Sequence, residues 1–146
     1  MILGLRVSQL KATNPHFRWS GGEKDAETIF SALGNSDVDY IHLSDDDAAT
    51  SGFGEGTMTM SKAVKKFTDV SVIACGSLSN PEKAASLIDQ QAADFVAIAR
   101  QALANPDTPN RVRKNRNLDD FDKEKIILPK AYVKDFELEQ ELVRED

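Results

Sequence analysis

The sequence predicts an α/β fold of four βα units with parallel strands, followed by a charged C-terminal tail. Two observations predict this fold: short apolar runs alternate with segments of helical periodicity, and the units recur about every 30 residues. Strands that alternate with helices form parallel sheets through right-handed crossovers. Four such units are half of an eight-stranded TIM-type barrel, which needs about 250 residues, whereas this chain has 146.

The first unit opens with the apolar run Ile2–Val7, which we expect to be a strand buried on both faces. A polar loop over 11–22 follows, with a proline and a glycine pair. The next segment, Glu23–Leu33, has its apolar residues at helical spacing. Gly34-Asn35 is expected to end that helix.

The second and third units repeat this order. Val38–Leu43 is the second predicted strand, and a loop over 44–56 follows it. The apolar residues that mark the next helix are Met60, Ala63, Val64 and Phe67. Val70–Ala74 is the third predicted strand. The segment Asn80-Pro81-Glu82 then predicts a helix start, because asparagine caps, proline fits the first helical position and an acid favours the positive end.

The fourth unit predicts a buried strand over Asp94–Ile98, a sharp turn and a short helix from Arg100. The alternation stops after Asn105. We therefore predict that residues 1–110 form the barrel portion and that residues 111–146 form a partly ordered tail, first basic and then acidic.

The tail has two parts. The basic part contains Arg111, Arg113, Lys114 and Arg116. Residues 118–146 then carry ten acids and five bases, so they account for −5 of the net charge of −6. Within them, Ile126–Pro129 is expected to pack on the body of the protein. The residues expected to form a weak helix are Phe136, Leu138 and Leu142.

Composition and charge argue against nucleic-acid-binding, disulfide-bonded and membrane-spanning classes of protein. A net charge of −6 gives no reason to expect a nucleic-acid partner. One cysteine permits no internal disulfide, which suits a reducing compartment. No apolar run approaches the roughly 20 residues that cross a bilayer, and the first residues do not resemble a signal peptide. We therefore expect a cytoplasmic protein without a membrane partner.

The candidate site residues follow the strands, because the sites of parallel barrels lie at the carboxyl ends of their strands. Arg6, near the end of the first strand, needs an anion or hydrogen-bond acceptors; a flavin edge is one source, and a buried carboxylate or loop carbonyls are another. After the third strand, Gly76 and Ser77 suit either a phosphate-binding turn or an ordinary tight turn. After the fourth, Ala99 and Arg100 combine amides with a guanidinium.

Three segments together resemble the old yellow enzyme family, the flavin-dependent NAD(P)H oxidoreductases. Gly4-Leu5-Arg6-Val7-Ser8 is similar to the family's strand with its flavin-binding arginine. Val72–Ser77 is similar to its seventh-strand phosphate segment. Asp94–Asp107 resembles its eighth strand, its glycine–arginine turn and its Asn-Pro-Asp ending. The similarity runs in order over residues 1 to about 110.

The resemblance implies a flavin mononucleotide (FMN) site, with Arg6 on the isoalloxazine and Gly76, Ser77, Ala99 and Arg100 on the phosphate. It implies hydride transfer from NAD(P)H to the flavin and then to a small-molecule acceptor such as an activated alkene. The chain departs from the family at Ala99, where glycine is usual, and at Ser77, where glycine or asparagine is common.

The resemblance assigns no catalytic residue to this chain, because the family's first four strands have no counterpart in it. Those strands would carry the substrate-binding histidines or His/Asn pair, and the proton-donating tyrosine where present. Neither His16 nor His42 matches those positions, and His42 is expected to be a core or rim residue. No metal site is expected: Asp45-Asp46-Asp47 lacks the alternating acids of a calcium loop and suits a solvated loop.

Three functions stay open at this point. The chain resembles the FMN-binding half of an NAD(P)H-dependent flavin oxidoreductase that is incomplete for catalysis alone. It is alternatively a non-catalytic half-barrel, acting as a binding or assembly module or pairing with a second copy as a homo-oligomer, since two open sheet edges attract partners. A phosphosugar-binding barrel fragment is a third reading, which Arg6 disfavours.

Overall fold

The structure, a computed structural model, describes residues 1–10, 13–14 and 16–144. Three residues of the loop expected over 11–22 (Lys11, Ala12 and Pro15) and the last two residues of the expected tail lie outside that range. The strands are β1 (Gly4–Val7), β2 (Tyr40–Leu43), β3 (Ser71–Cys75) and β4 (Phe95–Ala97). The helices are α1 (Glu23–Gly34), α2 (Met60–Phe67), α3 (Pro81–Asp89), α4 (Arg100–Ala104), α5 (Thr108–Arg113), α6 (Lys123–Ile126) and α7 (Asp135–Leu138).

In the described part of the chain the strands form one four-stranded sheet in the order β1-β2-β3-β4. Every neighbouring pair is parallel. The predicted alternation of strands and helices is thus confirmed. The chain forms two compact units, Met1–Ala97 and Ile98–Asp146. The expected division at residue 110 stays a prediction.

The core of the first unit lies on one face of the sheet. Side chains alternate along each strand, so every second residue of β2 and β3 points to the same face. The strand residues of that face are Ile41, Leu43, Val72 and Ala74, each at most 2% exposed. Helices α1 and α2 contribute Ala26, Phe30, Ala63 and Val64, which are fully buried. Trp19, in the loop before α1, packs edge-on against Phe30, with the ring centroids 5.8 Å apart.

The edge strands differ from the sequence prediction. Both β1 and β4 were expected to be buried, yet Leu5 is 38% exposed and Phe95 is 60% exposed. Within the described residues β1 pairs only with β2, and β4 only with β3. An apolar run indicates that a strand has side chains suited to burial. Whether an edge strand is buried depends on whether another strand or helix packs beside it.

The helix boundaries follow local capping chemistry. The Asn80 side chain accepts a hydrogen bond from the Lys83 N–H at 2.7 Å, and Pro81 occupies the first helical position, which confirms the predicted start of α3. At α2 the Thr59 hydroxyl accepts from the Lys62 N–H at 3.2 Å. These contacts satisfy helix N–H groups that have no partner inside the helix.

The loop that follows β2 is attached to both neighbouring strands. The Ser44 N–H donates to the Val7 carbonyl at 2.9 Å, and the Asp45 N–H donates to the Cys75 carbonyl at 3.1 Å. One turn later the Ala48 N–H donates to the Gly76 carbonyl at 3.1 Å. This loop therefore fixes the carboxyl ends of three successive strands relative to one another.

The second unit is more helical than the sequence predicted. Helix α5 was not expected, although Pro109 near its start and Arg111 and Arg113 in its last turn are typical of a helix. Among the tail segments, Ile126 is buried at the end of α6. The expected helix is present at Phe136 and Leu138 in α7, but Leu142 lies outside it and is exposed. None of the helices in the described ranges is long and apolar enough to cross a membrane.

Asp107 joins the segments of the second unit. Its buried carboxylate accepts from the Arg111 Nε–H at 2.9 Å and from the Val143 N–H at 2.6 Å. Burial alone would raise the pKa of Asp107, but the hydrogen bond from Val143, together with the Arg111 charge, outweighs burial and holds that pKa below its ordinary value. The ionised carboxylate thus holds the C-terminal segment onto α5.

We predict that Asp107→Asn lowers the free energy of unfolding at pH 7 by about 1–3 kcal/mol, because it weakens charge-assisted hydrogen bonds at a buried site. A lowered carboxyl pKa gives stability that is present above about pH 4 and is lost as the pH falls through the folded-state pKa. The variant should therefore lose less stability than the wild type between neutral and acidic pH. Urea unfolding followed by circular dichroism over a pH series measures this.

The matched control is Asp120→Asn in the same unit, since Asp120 is exposed and has no hydrogen bond or ion pair within the described residues. It should follow the wild-type pH profile. An Asp107→Asn profile parallel to that of the wild type would show that this carboxylate does not carry the acid sensitivity.

We also predict that Gly76→Ala is more damaging than Gly54→Ala. Both glycines have positive φ angles, +134° and +125°, so alanine costs about 1–3 kcal/mol of backbone strain at either position. A Cβ at Gly76 would also lie 2.5 Å from the Asp45 carbonyl oxygen, whereas a Cβ at Gly54 would have no atom of the described residues within 4 Å. The clash should add about 1–3 kcal/mol to the loss of unfolding free energy in denaturant titrations. Equal losses in the two variants would contradict the close approach.

Candidate functional site

Arg6 lies on the face of the sheet opposite the helices. It is in register with His42 of β2, and its side chain is exposed. Its Nη2 donates to the Ser44 hydroxyl at 2.8 Å. Arg6 forms no ion pair with a carboxylate anywhere in the described ranges. The alternative of a buried carboxylate partner for Arg6 is therefore not found among the described residues.

His42 is the neighbour of Arg6 across the strand pair. It is half-buried, and its Nε2 atom is buried without a hydrogen-bond partner among the described residues. Burial lowers the pKa of His42, and the Arg6 charge lowers it further. The imidazole is therefore neutral near pH 7 and adds no charge to this face.

Gly76 and Ser77 follow β3 directly, and both have positive φ angles, +134° and +48°. The Ser77 hydroxyl donates to the Asp46 carbonyl at 2.9 Å. Within the described residues the backbone N–H groups of Gly76 and Ser77 donate no hydrogen bond. A turn with unpaired amides beside a glycine can accept an anion, since nothing in the turn competes for the donors.

Two aspartates of the loop after β2 behave differently. Burial raises the pKa of Asp45, and the hydrogen bond from the Asp46 N–H and the Arg18 charge offset only part of that rise. Asp47 instead pairs with Lys83 of α3, with Nζ 2.7 Å from its carboxylate. Burial opposes ionisation of Asp47, but the Lys83 contact prevails and lowers its pKa. No group of three potential metal ligands lies together in the residues that the structure describes.

Ala99 and Arg100 belong to the second unit. Ala99 precedes α4 with φ −116° and ψ −71°, so its backbone does not need glycine. Arg100 begins α4 and is exposed. In the part of the chain that the structure describes, the Arg100 side chain has no hydrogen bond and no ion pair. It is a guanidinium available to an anion.

Sequence reasoning missed Ser44 and Asp45. Asp45 was interpreted as part of a solvated loop, and Ser44 was given no role, because the contact between Arg6 and Ser44 spans 38 residues of sequence. The signal that could have found Ser44 is its position, since it immediately follows β2 at the same end of the sheet as Arg6. Taken together, the first unit presents a fixed positive charge, a neutral imidazole and unpaired amides near the carboxyl ends of parallel strands, which suits a polar ligand with an electron-rich edge.

Comparisons with known proteins bear on this arrangement. The family model described as "NADH:flavin oxidoreductase / NADH oxidase family" matches residues 3–119. An NADH oxidase from Thermoanaerobacter brockii is 33% identical over 57 residues, which is 39% of this chain and 9% of that protein. A metal reductase from Desulforamulus reducens is 33% identical over 48 residues, 33% of this chain and 7% of that protein.

Solved structures show the same fold. A morphinone reductase in complex with tetrahydroNAD aligns with a TM-score of 0.64 and 24% identity, over 82% of this chain and 30% of that chain. The old yellow enzyme from Trypanosoma cruzi aligns with a TM-score of 0.66 and 20% identity, over 83% of this chain and 30% of that chain. The four βα units therefore match part of a TIM barrel.

The chain spans about 30% of these solved structures and less than a tenth of the two relatives. The family match nevertheless covers most of this chain and includes all four βα units. The chain therefore belongs to the NADH:flavin oxidoreductase / NADH oxidase family.

Proposed function

We propose that this chain forms the FMN-binding part of an NAD(P)H-dependent, ene-reductase-like flavin oxidoreductase and is incomplete for catalysis by itself. The observation that carries the proposal is that, apart from the hydrogen bond from Arg6 to Ser44, the guanidinium and turn-amide donors assigned to FMN have no partner within the described residues. Arg6 and Arg100 have no carboxylate partner, and the amides of Gly76 and Ser77 have no acceptor, within the described ranges. Family membership supplies the ligand that such donors would bind.

Arg6 would hold the flavin ring. The edge of the isoalloxazine that gains negative charge on reduction needs a fixed cation, and a guanidinium that is not neutralised provides one. The neutral state of His42 leaves Arg6 without a second positive charge beside it. The ring would then lie near the carboxyl end of β1.

Gly76, Ser77, Ala99 and Arg100 would bind the FMN phosphate. They follow β3 and β4, which are adjacent and parallel. Phosphate sites in barrels often combine the loops after two successive strands. Ala99 presents a methyl group where the family usually has glycine, yet within the described residues its backbone N–H donates no hydrogen bond.

When bound, FMN supplies the redox chemistry, in which hydride passes from NAD(P)H to the flavin and on to an activated alkene or a similar small-molecule acceptor. The contribution of this chain would be to bind and orient the cofactor. No residue of the chain is assigned to substrate protonation. Catalysis would need the remaining strands of an eight-stranded barrel, from a preceding segment or a separate chain. A cytoplasmic location suits the one cysteine, which is unpaired.

We predict that the purified chain binds both FMN and riboflavin, with a shift of the visible flavin bands. Arg6→Ala should weaken both ligands by about tenfold or more, because a charged hydrogen-bond donor to the ring is lost. Arg100→Ala should weaken FMN by a similar factor and leave riboflavin unchanged, because riboflavin has no phosphate. Spectral titration of the wild type and the two variants with each ligand yields six dissociation constants.

The control for charge is Arg116→Ala, since Arg116 is exposed and is assigned no role in the site. It should bind both ligands as the wild type does. Absence of binding up to high-micromolar FMN would exclude cofactor binding by this chain, and equal losses in all three variants would exclude the assigned contacts.

A second function is favoured by the exposed apolar residues at both sheet edges. Leu3 is 46% exposed beside β1, and Phe95 is 60% exposed in β4. Two copies that placed β4 of each beside β1 of the other would form an eight-stranded arrangement and cover those edges. The chain would then be a homodimeric binding or assembly module without redox activity.

Light scattering after size-exclusion chromatography tests this second function. A homodimer predicts twice the monomer mass of 16.1 kDa, and Phe95→Lys should shift the chain to monomer because it places a charge in the interface. A monomeric wild type across the micromolar range would exclude the homodimer.

A further inference from the structure

We infer that Ser44 is a positioning residue, whose hydroxyl holds the Arg6 guanidinium so that its other N–H donors face a ligand. The identity of that ligand as a flavin rests on the proposed function. The contact itself does not, since it lies wholly within this chain: Arg6 Nη2 is 2.8 Å from Ser44 Oγ.

Arg6 needs such a partner because its long side chain is exposed and is otherwise free to sample many rotamers. Within the described residues the hydrogen bond to Ser44 is the one that its guanidinium makes. A guanidinium fixed at one nitrogen is pre-organised at the others, because the group is planar and rigid. The donors that remain therefore keep a defined direction.

Ser44 is itself held firmly. Its N–H donates to the Val7 carbonyl at 2.9 Å, and its carbonyl accepts from the Ser8 hydroxyl at 2.8 Å. The next residue, Asp45, is bonded through its N–H to the Cys75 carbonyl of β3. The backbone that carries the Ser44 hydroxyl is therefore hydrogen-bonded to β1 on one side and to β3 on the other.

The neighbouring polar groups do not hold Arg6. His42 lies across from it in register, yet the buried Nε2 of His42 has no partner in the described ranges. The Asp45 carboxylate accepts from the Asp46 N–H and forms no ion pair with Arg6. Among the described residues, the Ser44 hydroxyl is therefore the side-chain group that accepts a hydrogen bond from Arg6.

A hydroxyl is also the suitable acceptor for this task. A carboxylate would orient Arg6 but would neutralise its charge, whereas serine orients it and leaves the charge available to a ligand. When the Ser44 oxygen accepts from Arg6, its own proton points elsewhere, so the pair offers a hydroxyl donor beside the guanidinium.

The test compares Ser44→Ala, which removes the acceptor, with Ser44→Thr, which restores it. Ser51→Ala, an exposed loop serine, is the matched control. The first readout needs no ligand: in ¹⁵N-labelled protein the guanidinium signals of Arg6, assigned with Arg6→Lys, should be resolved in wild type and in Ser44→Thr. They should average in Ser44→Ala, as expected for a freely rotating group.

The second readout is the affinity for FMN and riboflavin. Ser44→Ala should weaken both by about three- to tenfold, and Ser44→Thr by less than about twofold. In the Arg6→Ala background Ser44→Ala should cause no further loss, because it acts through Arg6. Thermal unfolding should be the same in all of these variants, since the backbone bonds of Ser44 remain.

The results separate the two proposals. If Ser44→Ala leaves the Arg6 signals resolved, or weakens flavin equally with and without Arg6, then Ser44 does not position Arg6. If the wild type binds neither flavin, the proposed function fails, and the guanidinium signals still decide the role of Ser44.

Discussion

The first unit depends on how a parallel sheet covers its two faces. Parallel sheets usually bury both faces, because each crossover places a helix on one of them. Here α1 and α2 cover the face of Ile41 and Val72, which are fully buried. The opposite face carries Arg6, His42 and the half-buried Cys75. Because the helices α1 and α2 pack on the other face, the Arg6 guanidinium stays exposed on a sheet whose opposite face is fully packed.

The loop after β2 connects three strands of that scaffold and contacts Arg6. Through Ser44 it contacts β1, and through Asp45 and Ala48 it contacts the end of β3 and the turn beyond it. Arg6 and Gly76 lie two strands apart, so neither could be positioned relative to the other by strand pairing alone. One loop fixes both, and this explains why a side chain at Gly76 would disturb more than its own turn.

The sequence predicted the regular elements because their signals are local. The cap at Asn80 and the helical spacing of Glu23–Leu33 each depend on residues within a few positions, and both appear where expected. Burial of β1 and β4 was predicted wrongly, because apolar content does not reveal whether an edge strand has a neighbour. The contact between Arg6 and Ser44 was missed for a related reason. It depends on β1 and β2 being adjacent in the sheet, and the spacing of residues in the sequence does not reveal which strands are adjacent.

The arginines of this chain differ in whether a carboxylate pairs with them. Arg111 is paired with both Asp107 and Asp119, and its side chain is 13% exposed, so its charge is used to hold the second unit together. Arg6 has a hydroxyl partner, and Arg100 has no side-chain partner in the described part of the chain. With acids outnumbering bases 24 to 18, carboxylates are available to pair with these two arginines. Within the described residues no carboxylate forms an ion pair with either arginine, so an anionic ligand is the partner that these two charges would favour.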